Sequence, residues 1–211
     1  MKKIILSVAA MLTFGFVSAQ EVEFGVKGGV NIANFTGDET DDLESKIGFH
    51  IGGFAEIKIS EKFSVQPELL FSTQGTKMKE KYSEDGFDYD VSAKINTSYI
   101  NIPIMAKLYV TEGFSLEAGP QIGFLMSAKT KAEATVSAGG ITQSGSEEVD
   151  VKDQFNTVDF GLNFGLGYKF TENLSAGARY NLGLSDINKE VEGEAISVKN
   201  SVIQVSIGYS F

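Results

Sequence analysis

The chain has 211 residues, with 18 basic and 28 acidic side chains, one histidine, no cysteine and a formal charge of −10. An acidic balance of this size argues against nucleic acid as a partner, and the missing thiols exclude disulfides, a cysteine metal centre and the acylated cysteine of a lipoprotein. The length suits one substantial domain. In chain order, Lys2 and Lys3 precede an apolar run from Ile4 to Val17, which ends in Val17-Ser18-Ala19. A basic start, a short apolar core and a small-residue site predict a secretory signal over residues 1–19, cleaved after Ala19, with a mature domain over 20–211. The run is shorter than the roughly 20 apolar residues of a membrane-spanning helix. Losing the two lysines would take the charge to −12.

After the signal, hydrophobicity repeats every second residue, the period of a strand with one apolar face. Phe24, Val26, Val30 and Ile32 alternate with Lys27, Gly29 and Asn31. Ile47, Phe49, Ile51, Ala55, Ile57 and Ile59 stand against His50, Gly52, Glu56 and Lys58, and Phe63, Val65, Leu69 and Phe71 against Gln66 and Glu68. The pattern returns from Ile100 to Val110 opposite Met105, Lys107 and Tyr109, and from Phe114 to Phe124 opposite Glu117 and Gln121. Val158 to Phe170 follows, with Asp159, Asn163 and Lys169 in the other row. Leu174 to Leu182 and Ile203 to Phe211 complete eight predicted strands.

The connections alternate as well. Ser60-Glu-Lys-Phe-Ser64, Thr111-Glu-Gly-Phe-Ser115 and Thr171-Glu-Asn-Leu-Ser175 are short turns of one type, whereas long polar segments fall near 34–46, 76–94, 127–157 and 184–200. In an antiparallel meander this places every short turn at one end and every long loop at the other. Outer-membrane barrels have that asymmetry, with short periplasmic turns and long extracellular loops. A soluble barrel or sandwich would bury the apolar rows instead. The glycine-rich alternate row and the terminal aromatics Tyr209 and Phe211 favour the membrane barrel, the aromatics as a C-terminal insertion signal.

"YINIPIMAKLYV" (Tyr99 to Val110), "LEAGPQIGFL" (Leu116 to Leu125), "VDFGLNFGLGYKF" (Val158 to Phe170) and "ARYNLGLSDI" (Ala178 to Ile187) resemble the short outer-membrane β-barrels often labelled porin family proteins, similar in architecture to OmpA/OmpX-type barrels. The resemblance covers about Glu21 to Phe211. It implies an all-β, eight-stranded antiparallel up-and-down barrel in the bacterial outer membrane, and no agreed activity or catalytic residues.

Eight strands leave an interior that side chains fill. Parity points Lys27, Glu56, Glu68, Lys107, Glu117, Asp159 and Arg179 inward, where charges must compensate one another. Counted from the turns, Glu56, Lys107 and Glu117 lie near one level, with Glu68 and Arg179 higher. His50, the one histidine, also faces the lumen. It suits a packed structural residue better than a triad base, and no Gly-x-Ser-x-Gly context or cysteine/histidine cluster is present. No enzyme, cofactor or metal site is expected. The acidic loop "GDETDDLE" (Gly37 to Glu44) lacks EF-hand spacing, and the polar alternation of Lys129 to Asp153 suggests strands continuing beyond the membrane as a hairpin. The reading is a filled barrel with a structural or surface-interaction role, in contact with outer-membrane lipid and lipopolysaccharide. The insertion machinery would handle it during biogenesis, and an envelope partner could meet its loops. A small-solute porin, a secretion-accessory barrel and a lipid-modifying barrel are the alternatives.

Overall fold

The computed structural model describes residues 21–84, 87–139, 141–189 and 196–211; the expected signal lies outside them. Nine strands run antiparallel: β1 (Val22–Gly37), β2 (Glu44–Ser60), β3 (Phe63–Glu84), β4 (Phe87–Tyr109), β5 (Phe114–Ala138), β6 (Ile141–Asp150), β7 (Val158–Lys169), β8 (Leu174–Gly183) and β9 (Val198–Ser210). Eight of them close a ring. β1 pairs with β9 from Gly25↔Ser210 to Gly37↔Val198, and the other side closes through β4 on β5 and β5 on β7. Closure removes the sheet edges that hydrocarbon would otherwise leave without hydrogen-bond partners.

The ring has the eight strands expected, and the ninth lies outside it. β6 pairs only with β5, from Lys129↔Asp150 to Ala138↔Ile141, and stands above the ring. The predicted hairpin therefore forms from β5 and this extra strand; β7 starts afresh after the 3-10 turn Lys152–Gln154. Residues 76–94 are likewise not a loop, because β3 and β4 stay paired out to Glu84↔Phe87. The first long connection shrinks to residues 38–43. Outside the membrane nothing forces a continuous apolar row, so the lysines and glutamates of these segments obscured the strand period.

Burial is inside-out relative to a soluble protein. Ile47, Ile207 and Phe24 are 76%, 64% and 61% exposed, while Asn31, Asn163 and Glu56 are at most 1% exposed. That is the arrangement of a wall whose solvent is lipid. Aromatic pairs Tyr168–Phe170 and Tyr209–Phe211, with ring centroids 5.1 and 5.8 Å apart, mark the turn end.

Two of the three repeated turns share one geometry. Phe114 N donates to Thr111 Oγ1 at 3.1 Å, and Leu174 N to Thr171 Oγ1 at 2.9 Å. Ser60 instead closes a two-residue turn on Phe63 after a register shift at Lys58. Higher up, a shift opposite Ser98 and Tyr99 reverses the parity of β5, so that Leu125 and Ala128 are both buried with exposed Met126 between them.

Gly75 sits where β3 leaves the ring for its extracellular half, with φ +129°, and a Cβ there would lie 1.9 Å from the Ile95 oxygen. Gly75→Ala should therefore cost about 1–3 kcal/mol. A lower urea midpoint of the folded barrel in detergent micelles is the expected result; an unchanged midpoint would mean that β3 and β4 are not held together there.

Candidate functional site

The lumen is built in layers, counted upward from the turns. In the lowest, Lys107 Nζ lies 3.0 Å from Glu56 and Lys169 Nζ 3.6 Å from the same carboxylate, while Lys169 and Lys58 reach Glu23 at 3.2 and 2.6 Å. Ser64 donates to Glu56 at 2.8 Å and the Tyr109 hydroxyl also donates to it. Above, the Arg179 guanidinium grips both oxygens of Glu68 at 3.0 and 2.9 Å, and Lys27 approaches Glu68 at 3.3 Å. Glu117 joins the layers, 3.0 Å from Arg179 and 3.7 Å from Lys107. Each charge in these two layers thus has an opposite partner, the condition under which charge is tolerated away from bulk water. Adjacent glycines leave room for the long side chains: a Cβ on Gly167 would stand 2.6 Å from Glu117 Oε1.

Amides fill the next level. Asn181 donates to Asn163 at 3.1 Å, Asn163 to Gln121 at 3.3 Å, and Gln204 to Asn31 at 3.3 Å. His50 belongs here, its Nδ1 2.7 Å from Asn31 Oδ1. Asp159 is higher still, accepting from Asn200 at 2.8 Å and Ser185 at 2.9 Å. His50 and Asp159 are therefore lumen residues outside the ion-pair network.

At the outer mouth the filling turns apolar. Phe35, Tyr99, Leu125, Ala128, Phe155 and Ile187 form one buried cluster, with Leu43, Ile95, Val151 and Val198 packed around it. Its members come from β1, β4, β5, the segment after the 3-10 turn and the β8–β9 connection, so no single stretch of sequence announces it. The cavity left between Lys27, Glu56, Lys107, Glu117 and Arg179 is about 40 Å³. That is room for a few waters at most.

Lys169, Glu23 and Tyr109 were not singled out from sequence as members of the network. Parity alone could have placed Lys169, which alternates with Tyr168 and Phe170; its reach across the ring to Glu23 and Glu56 depends on register.

A closed antiparallel ring, apolar outside and ion-paired inside, defines an integral β-barrel protein of the bacterial outer membrane. The chain belongs to the family described as outer membrane protein beta-barrel domain, which matches residues 18–189. Solved structures similar to it include Ail of Yersinia pestis, at 16% identity and TM-score 0.42 over 90% of this chain and 99% of that one. Neisserial surface protein A matches at 16% identity and TM-score 0.44 over 90% and 99%, and OprG of Pseudomonas aeruginosa at 13% and 0.35 over 92% and 98%. None of the curated proteins matches the sequence.

Proposed function

We propose that this protein is a closed, non-enzymatic barrel that acts at the cell surface through the strands it carries outward. The observation that supports this best is the filled lumen, with salt-bridged layers below and an apolar cluster across the mouth, joined to a four-stranded sheet of β3, β4, β5 and β6 standing beyond the ring. Outer-membrane lipid and lipopolysaccharide surround the wall, Tyr209 and Phe211 serve as the insertion signal, and the sheet is where an envelope or surface partner would dock. The ionisable lumen residues act as structural props.

His50 favours no catalytic role. It is 1% exposed and hydrogen-bonded to an amide rather than a carboxylate, whereas a triad base is oriented by an acid and reaches a nucleophile open to substrate.

Folded protein in a planar lipid bilayer should be electrically silent, with heat-modifiable gel migration establishing that it is folded. Steady, reproducible channels would overturn the closed barrel and make solute passage its function.

A further inference from the structure

The two sides of the extracellular sheet differ in a way that selects a partner, given the surface role just proposed. Because the strand pairs are in continuous register above Thr76↔Ile95, Ile95↔Thr130 and Thr130↔Val149, residues opposite one another share a side. Thr76 and Ala128 are buried and Ile95 packs on the mouth cluster, so their side faces the barrel axis. That side carries Met78, Tyr82, Phe87, Tyr89, Val91 and Ile141, with Tyr82 stacked on Tyr89 at 4.8 Å. Ile141 is 72% exposed.

Charge is segregated between the two sides. Lys77, Lys79, Lys81, Lys94, Lys129 and Lys131 all fall on the outer side, and among the described residues of this sheet above Thr76 no lysine faces the axis. Most of the outer carboxylates are ion-paired: Glu44 pairs with Lys77 at 3.2 Å, Asp90 with Lys81 at 2.5 Å and Glu148 with Lys129 at 2.7 Å, while Asp88 accepts from the Ser83 hydroxyl and Asp150 from the Lys152 backbone N–H. Glu133 is held below its ordinary pKa by hydrogen bonds to Lys131 and Lys94. On the axis side Glu80, Glu84 and Glu147 form no ion pair among the described residues.

At the base of the same side lies a groove of about 690 Å³, floored by Phe35, Phe155 and Ile187 and joined to the sheet through Ile95 and Thr130. Its rim holds Asp38, Glu39 and Asp153, again without ion pairs among the described residues, against one cation, Lys189. Apolar surface edged by uncompensated carboxylates matches a ligand of the opposite pattern.

We propose that the groove and the axis-facing side of the sheet form one docking surface for a cationic amphipathic polypeptide segment. Its apolar side chains lie on the groove floor and the Tyr82–Phe87–Tyr89 patch, and its lysines or arginines meet Asp38, Glu39, Glu80, Glu147 and Asp153. A second copy of this chain docked through the same surface would bring carboxylate against carboxylate.

The test uses folded full-length protein in zwitterionic phosphatidylcholine nanodiscs, titrated with a fluorescent peptide of alternating leucine and lysine. Empty discs are subtracted, and a peptide with glutamate at every lysine position is the control. Saturable binding of the lysine peptide alone, weakened by salt, is expected. The triple variant Asp38→Asn, Glu39→Gln, Asp153→Asn should bind roughly tenfold more weakly, and so should Phe87→Ser with Ile141→Ser, which alters only exposed hairpin tips. Equal binding of the two peptides, or unchanged affinity in both variants, would overturn the proposal. Self-association in place of peptide uptake would also overturn it, making a second copy the occupant. Absence of peptide binding by a silent barrel removes this site and leaves the closed barrel standing, whereas conductance removes the closed barrel whatever the peptide does.

Discussion

Arg179→Leu should destabilise the folded barrel by about 3–5 kcal/mol, the range for breaking a buried ion pair from one side. The guanidinium is 5% exposed and bonds Glu68, whose side chain is wholly buried, and Glu117. Its removal leaves Glu68 with the more distant Lys27 at 3.3 Å and Glu117 with Lys107 at 3.7 Å. Two carboxylates would then share too little positive charge inside a wall that excludes water. Arg179→Lys keeps the charge but loses the two-pronged grip on Glu68, so an intermediate loss is expected. Adding Glu68→Gln to Arg179→Leu should recover part of the loss, because it removes one of the stranded charges. Urea midpoints in detergent micelles of the parent, Arg179→Leu, Glu68→Gln and the double variant, arranged as a double-mutant cycle, measure the coupling, with Arg179→Lys compared beside them. A midpoint for Arg179→Leu equal to that of the parent would show that the network props up nothing.

A charge on the outside tests the wall itself. Val205 is 54% exposed, flanked by Val30 on β1 and Ala178 on β8, four residues above Tyr209 in the aromatic belt. Val205→Arg should cost about 2–4 kcal/mol, as arginine does on the lipid face near the bilayer midplane, while Tyr209→Arg, near the interface, should cost about 0–1 kcal/mol. The readout is the free energy of folding into lipid vesicles as a function of urea. In a water-facing sheet, exchanging an exposed valine for arginine would be nearly neutral, so equal stability of Val205→Arg and the parent would contradict a lipid-covered wall.

The alternation that made the barrel legible is a local property. A strand turns successive side chains to opposite faces, so one apolar row against one polar row fixes which residues meet lipid and which meet the lumen. This is why Lys27, His50, Glu56, Glu68, Lys107, Glu117, Asp159 and Arg179 could be assigned to the interior individually. The extracellular halves of β3, β4 and β5 were harder to read. Met78, Tyr82, Tyr89 and Val91 do alternate, but the opposite row and the gaps are filled with charges, and the segment resembles a polar loop until its pairing is seen. β6, exposed along its whole length, has no apolar row at all.

Sequence by itself therefore determined the wall: strand period, turn end, inward and outward rows, and the need for the inward charges to compensate. Only the tertiary structure decided which charge meets which. Arg179 and Glu68 are separated by 111 residues, and Lys169 and Glu23 by 146. Their contacts follow from how far each strand is staggered as the ring closes, a displacement that no single strand encodes. The same stagger gathers Phe35, Tyr99, Leu125, Phe155 and Ile187 across the mouth and sets Lys77, Lys94 and Lys131 on one side of the sheet with the aromatics on the other. Parity is a property of one strand, whereas partnership across the lumen is a property of the closed ring.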